Sequence, residues 1–433
     1  MSKSSLAQRD QAVIWHPYTQ HKNMTPPIPV VRGEGSLLFD DNGKAYIDAI
    51  SSWWVTIHGH AHPFIADRIF EQAKKLEQVI FTGFTHEPAI ELAEKLLEIL
   101  PGQYAKIFYS DNGSTAVEVA IKMAIQFWQN LSDQNKAPRR KILAFKNAYH
   151  GDTFGAMSVS ERGIFTWAFQ DYLFEVIFID TPLAANIDQI LTIIRQYGKE
   201  IACFIYEPLI QGAGGMNIYE SSLLDMLLDE ICAQHIICVA DEVMTGFGRT
   251  GKPFAGEYLR NRADIICLSK GLTGGTMAMG ITAATQKIFD AFLSDDRQKT
   301  FFHGHSFTAN PIACSAALAS LDLFQKQECA DAILRIEEGH SLFANRIIGF
   351  GGAKQVRRLG TVIAFEVRSG KDGYLNNIGS LLTNAALENG IFLRPLGNTI
   401  YIMPPYCITD AQLKKVYEFL IGWMESLSRN SPG

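Results

Sequence analysis

Between about residue 60 and residue 320 the chain alternates helical stretches with short apolar runs, and this alternation constrains the fold more than any other feature. The runs are Lys106–Tyr109, Ile142–Phe145, Ala202–Tyr206, Ile236–Ala240 and Ile265–Leu268, several of them apolar throughout. A strand that is apolar on both faces must be covered on both, as happens when helices connect parallel strands. The expected fold is α/β, with right-handed crossovers and a ligand site at the strands' carboxyl ends. Beyond about residue 320 a helix, the strand Thr361–Val367, another helix, the strand Thr399–Met403 and a final amphipathic helix predict a smaller α/β domain. At the other end the first fifty residues read as an extended arm and a hairpin. Pro26, Pro27 and Pro29 prevent regular helix, and SLLFDDNGKAYIDA offers two short strands around Asn42-Gly43, a pair suited to a tight turn. The expected division is an arm and hairpin over 1–58 packing with the small domain, a large domain over 59–320, and a small C-terminal domain over 321–433.

Composition narrows the partners. The 433 residues carry 39 basic and 45 acidic side chains, a net charge of -6, with no excess that favours nucleic acid or an anionic membrane. Cys203, Cys232, Cys238, Cys267, Cys314, Cys329 and Cys407 are scattered, without C-x-x-C pairs or histidines at metal-ligand spacing. Several lie in apolar runs as small buried hydrophobes, which suits a reducing compartment. The stretch MSKSSLAQRDQAVIW lacks the apolar core of a secretion signal, and no run approaches membrane-spanning length. A cytoplasmic protein without a structural metal is expected.

The strand ends carry the chemistry. Lys106–Tyr109 leads into Ser110-Asp111-Asn112-Gly113-Ser114 and then a helix from Thr115 to Gln129, with Val117, Ala120, Ala124 and Phe127 on one face. Such a unit aims backbone N–H groups and partial positive charge at one point, as a phosphate site requires, although taken alone it reads first as a helix capped by a polar loop. Ile236–Ala240 is followed by Asp241-Glu242, and Ile265–Leu268 by Ser269-Lys270-Gly271. Each of these could be a solvated strand end. Together, a phosphate loop, an acid and a lysine are the parts that hold pyridoxal 5'-phosphate. The lysine condenses with the aldehyde, the acid keeps the pyridine nitrogen protonated, and the loop holds the phosphate. Tyr149-His150-Gly151-Asp152, after Ile142–Phe145, supplies an aromatic to stack on the ring.

The segments DEVMTGFGRTGKPFA (241–255) and DIICLSKGLTGG (264–275) resemble the class III aminotransferase pattern of the fold type I pyridoxal-phosphate-dependent transferases. The resemblance implies a homodimer with active sites at the subunit interface. WHPYT (15–19), SSWW (51–54), FTHEPAIELAEKL (84–96), YHGDTFGAMSV (149–159), EPLIQGAGGM (207–216) and RPLGNTIYIMPPY (394–406) resemble one branch of that family. That branch implies transamination of 8-amino-7-oxononanoate in biotin biosynthesis, with S-adenosylmethionine or lysine as donor. A broader ω-amino acid aminotransferase, an aminomutase and a non-catalytic cofactor-binding protein are the rival readings.

Carried over by position, the resemblance makes Lys270, Asp241 and Tyr18 catalytic. It gives the cofactor Gly113, Ser114, Tyr149, Asp241, Lys270, Glu207 and, from the neighbouring subunit, Ser306. It gives the substrate Trp53, Trp54, Tyr149, Gly304, Arg249, Arg394 and Tyr401, with Arg394 receiving the oxononanoate carboxylate. A long apolar chain ending in a carboxylate wants rigid aromatic walls and one fixed guanidinium, which the pair of tryptophans and Arg394 supply. Ordinary core packing for one of the tryptophans, and a salt bridge for Arg394, are the bland alternatives. In HGHSFTANP (303–311), His305-Ser306 replace the proline and threonine of the best-known members.

Overall fold

The computed structural model describes residues 5–132, 139–349, 353–367 and 378–430. Its centre is a seven-stranded sheet running Tyr104–Ser110, Gly280–Thr285, Ile265–Leu268, Ile237–Asp241, Ile201–Tyr206, Lys141–Phe145 and Ile177–Ile179. All neighbours are parallel except where Gly280–Thr285 inserts antiparallel between the first and third of these. The sequence reading lacked Ile177–Ile179 and Gly280–Thr285. The first is three residues long, and in the second, GITAAT, Gly280, Ala283 and Ala284 dilute the strand signal of Ile281, Thr282 and Thr285.

The apolar runs are buried on both faces. Ile142, Ala144, Cys203, Ile205, Ile237 and Val239 pack with Ala116, Val117 and Ala120 of the helix Gly113–Leu131 on one side. The alternate residues Leu143, Phe145, Phe204, Tyr206, Cys238 and Ala240 face the larger core on the other. Side chains still alternate along each strand, but neither face meets water, so no polar alternation is written into the sequence.

The hairpin forms from Leu37–Asp40 and Ala45–Asp48, turning through Gly43 at φ +80°. Val30–Glu34 adds to one side, and Ile391–Phe392, from the far end of the chain, pairs in parallel with Ala45–Asp48 on the other. The arm is not wholly extended: Leu6–Val13 is a helix, capped reciprocally by Ser5 and Gln8, with no buried residue. A three-stranded antiparallel sheet of Ala353–Leu359, Val362–Val367 and Thr399–Ile402 lies with the helices Gln327–Ile348, Ile378–Glu388 and Asp410–Asn430 in the C-terminal part. Among the described residues no helix is long and apolar enough to cross a membrane.

Candidate active site

Strand register brings the polar residues together. Asp241 pairs with Cys267, three residues before Lys270, and Ala240 pairs with Tyr206, immediately before Glu207. In a parallel sheet adjacent strands end on the same edge, so Asp241, Lys270 and Glu207 converge without any long-range search by their loops. The next strand, Lys141–Phe145, delivers the loop that carries Tyr149 and His150. These residues line one cavity of about 630 Å³.

One wall is the start of the 19-residue helix Gly113–Leu131. Asn112 caps it, its Oδ1 accepting from Thr115 N at 3.0 Å while Thr115 Oγ1 accepts from Asn112 N at 3.1 Å. The first two helical amides, of Gly113 and Ser114, have no acceptor within the helix by construction and lie at its positive end. Gly113 is required by close approach: a Cβ there would meet Val243 Cγ1 at 2.8 Å. Ser114 Oγ accepts from Asp152 N at 3.2 Å, tying this wall to the Tyr149 loop.

Opposing effects set the charges. Lys270 opens a 3-10 turn at φ +48°, its Nζ 4.5 Å above the ring of Trp54. Burial lowers its pKa to about 8 and outweighs the attraction of Asp241 and Glu207. Burial likewise raises Glu207 to about 7, against hydrogen bonds from Tyr149 N at 3.1 Å and Gly212 N at 2.8 Å. Asp241 accepts from Val243 N at 3.1 Å through Oδ1 and lies 2.6 Å from His150 Nδ1 through Oδ2. Burial also raises the Tyr149 phenol, with Tyr18 Oη 3.1 Å from its oxygen and Tyr18 donating in turn to Asp152.

Both tryptophans line the cavity. Trp54 is buried and donates from Nε1 to Tyr401 Oη at 2.9 Å, while Trp53 stays 44% exposed with the Arg394 guanidinium 4.4 Å from its ring centroid. Among the described residues Arg394 meets no carboxylate. Tyr18 closes the aromatic side, edge-on to Trp53 and to Phe165.

Three residues assigned to the site do not line this chain's cavity, and one of them, Ser306, was assigned to the neighbouring subunit's. Arg249 does not line the cavity: it is 1% exposed and donates to the carbonyls of Pro404 at 2.9 Å and Trp54 at 3.4 Å, behind the indole wall. Gly304 and Ser306 do not line it either; both are exposed on a segment tied to Gln78, which donates to Ser306 O at 2.6 Å. His305 caps its own turn, its Nδ1 accepting from Phe307 N at 3.2 Å. Conversely, His150, Asp152 and Phe165 line the cavity without having been singled out. The first two flank Tyr149 in sequence, which was the available signal; nothing marked Phe165.

The matches to known proteins follow this geometry. The family model described as Aminotransferase class-III matches residues 18–423. The chain belongs to the class-III aminotransferases. It is 44% identical over 429 residues, 96% of this chain and 99% of the other, to an adenosylmethionine-8-amino-7-oxononanoate aminotransferase of Synechococcus elongatus. The crystal structure of the enzyme of that name from Methanocaldococcus jannaschii superposes with a TM-score of 0.92 at 34% identity, covering 97% of this chain and 98% of that one. An omega transaminase of Pseudomonas jessenii, in complex with PMP, shares the fold at a TM-score of 0.91 and 24% identity, over 98% and 99% of the two chains. The class-III aminotransferase described here is thus a pyridoxal-phosphate-dependent transaminase of α/β fold. The residues present fit that cofactor: an uncapped pair of helix amides for the phosphate, a carboxylate beside the lysine, and a lysine whose amine burial keeps reactive.

Proposed function

We propose that this aminotransferase converts 8-amino-7-oxononanoate to 7,8-diaminononanoate in biotin biosynthesis, taking the amino group from S-adenosylmethionine. The observation that carries the substrate is Arg394, a guanidinium that meets no carboxylate among the described residues and lies against Trp53 in an aromatic-walled cavity. An eight- or nine-carbon chain ending in a carboxylate satisfies both the walls and the charge. The names of the relatives supply the reaction and the donor.

Pyridoxal phosphate, when bound, supplies a carbonyl that takes up the amine and a ring that spreads the charge left when the substrate Cα loses its proton. The chain's own residues do the rest. Gly113 and Ser114 would hold its phosphate, Asp241 would keep its ring nitrogen protonated, and Tyr149 would cover its ring. Once the amine is bound, Lys270 Nζ would take the proton from the substrate Cα and deliver it to the cofactor carbon that had been the carbonyl; a pKa lowered to about 8 suits it to both duties near neutral pH. Glu207 holds the Tyr149 loop through its backbone N–H, and Tyr18 orients the Tyr149 phenol. Trp53, Trp54 and Tyr401 exclude water around the chain of the substrate.

The same reading makes the enzyme a cytoplasmic homodimer in which Ser306 and Gly304 serve the partner's cavity. Supporting it are seven unpaired cysteines and the exposure of Phe302 and Phe307 on that segment. Light scattering that returned a monomer would sink the shared site. The division into 1–58, 59–320 and 321–433 stands on the same footing, with Ile391–Phe392 tying the arm to the C-terminal part.

The test is a half-reaction. Holoenzyme mixed with 7,8-diaminononanoate should lose the absorbance of the lysine-bound cofactor rapidly, and Lys270→Ala should not respond. S-adenosylmethionine, lysine, ornithine and 4-aminobutyrate run alongside. Response to ornithine or 4-aminobutyrate without response to the diamine refutes the substrate and leaves the transaminase; response to lysine alone changes the donor.

A further inference from the structure

Adjacent residues in regular structure point different ways, yet Trp53 and Trp54 line the same cavity. The backbone that permits this is strained. Ser51, Ser52 and Trp54 have φ of 55°, 58° and 68°, and Ser52 combines its φ with ψ −96°, which an L side chain disfavours. Conformations of this kind persist only where the surroundings over-determine them. The surroundings here are specific. Asp48, the last residue of the strand Ala45–Asp48, is fully buried and does not line the cavity. Its Oδ1 accepts from Ile50 N at 3.1 Å and its Oδ2 from Ser52 N at 2.6 Å. His60 Nε2 lies 2.9 Å from the same Oδ2, and His60 is itself fixed to Gly35 by paired backbone hydrogen bonds of 2.7 and 3.2 Å. Ser51 Oγ donates to Met403 O at 2.9 Å, and Arg249 reaches Trp54 O from behind.

We propose that Asp48, braced by His60, is a positioning residue for substrate specificity: its carboxylate clamps the amides of the Ile50–Ser52 turn and so holds both indoles in the cavity wall. The inference rests on the reading of Trp53 and Trp54 as substrate walls. Among the described residues the hydrogen bonds of Asp48 toward the cavity wall run through this turn, so its removal acts first on the holding of the substrate chain. It also acts through backbone strain, which glycine at position 52 would abolish because glycine populates positive φ freely.

The test compares holoenzyme of the wild type, Asp48→Asn, Ser52→Gly, the double variant and Trp53→Ala. Each is assayed for kcat and KM with 7,8-diaminononanoate and with n-butylamine, which is too short to need the indole walls. Asp48→Asn keeps the side-chain volume but cannot accept through both oxygens. It should raise KM for the diamine about tenfold with kcat nearly kept, and leave n-butylamine unaffected, since misplacing a binding wall costs about this much. In the Ser52→Gly background the same change should have little effect. Unchanged KM in Asp48→Asn overturns the proposal, as does a loss that Ser52→Gly fails to restore, or a double variant that does not fold. Unchanged KM in Trp53→Ala refutes the wall reading itself. A raised KM there with an unaffected Asp48→Asn refutes the role of Asp48 alone.

Discussion

His150 Nδ1 lies 2.6 Å from Asp241 Oδ2, with both side chains buried in the cavity wall. Asp241 Oδ1 is meanwhile held by Val243 N, so both oxygens of the carboxylate are oriented before any ligand arrives. His150 Nε2 has no hydrogen-bond partner among the described residues, which leaves Asp241 as the one group the imidazole serves. Such an outer partner fixes the direction of the inner group, as it does around metal ligands.

His150→Asn should therefore loosen the cofactor by releasing Asp241 from its fixed orientation. A hydrogen bond to a charged group contributes about 1.5–3 kcal/mol, so the cofactor dissociation constant should rise on the order of tenfold or more. Fluorescence titration of apoprotein with pyridoxal phosphate measures this; an unchanged constant would show Asp241 to be oriented by Val243 alone.

Capture of the cofactor by apoprotein should follow the ionisation of Lys270. Its pKa is lowered to about 8, so the reactive neutral amine is on the order of a tenth of the population at pH 7 and dominates above pH 9. The rate of appearance of the lysine-bound absorbance should rise with pH and level off past a midpoint near 8. A rate still climbing at pH 10 would place the amine in an ordinary, solvated environment.

Arg394→Ala should raise KM for 7,8-diaminononanoate by on the order of tenfold to a hundredfold while sparing n-butylamine, because only the first carries a carboxylate. Arg394→Lys should restore little, since an ammonium neither forks onto a carboxylate nor stacks on Trp53 as the guanidinium does. Equal losses for both amines would assign Arg394 to packing.

Acid should destabilise the fold through two neutral histidines. His340 and His58 have pKa values lowered to about 4 by burial, and each has a ring nitrogen on a backbone carbonyl, Thr361 O and Ser320 O, at 3.0 Å. A lowered folded-state pKa means the contribution is complete above the ordinary value near 6.5 and is lost as pH falls through about 4. Each imidazole accounts for about 3 kcal/mol over that window. Urea unfolding of apoprotein between pH 6.5 and 4 should show the decline, with a shallower slope in His340→Gln; parallel curves would contradict it.

The strand ends were legible because parallel sheets announce themselves locally: an all-apolar run stops, and the next residues lie on the ligand edge. Lys270, Asp241 and the Asn112–Ser114 cap could be placed on that ground before any contact was known. Gly280–Thr285 could not, because glycine and alanines break up its Ile281 and Thr282 signal, and it becomes a strand where Tyr104–Ser110 and Ile265–Leu268 supply partners on both sides. The helix Leu6–Val13 was hidden by the prolines that follow it, although its Ser5–Gln8 capping box was present in the sequence.

The sequence by itself determined which chemical groups the protein owns and on which strand ends they stand, because periodicity, caps and turns are properties of neighbouring residues. Only the tertiary structure decided which arginine enters the cavity. Both Arg249 and Arg394 were assigned to the substrate by resemblance, but Arg249 is turned to the Trp54 and Pro404 carbonyls while Arg394 lies against Trp53 and meets no carboxylate among the described residues. The tertiary structure likewise decided that both tryptophans share one wall and that His150 serves Asp241. Those outcomes depend on contacts between segments far apart in the chain, whose distances and burial no local pattern encodes.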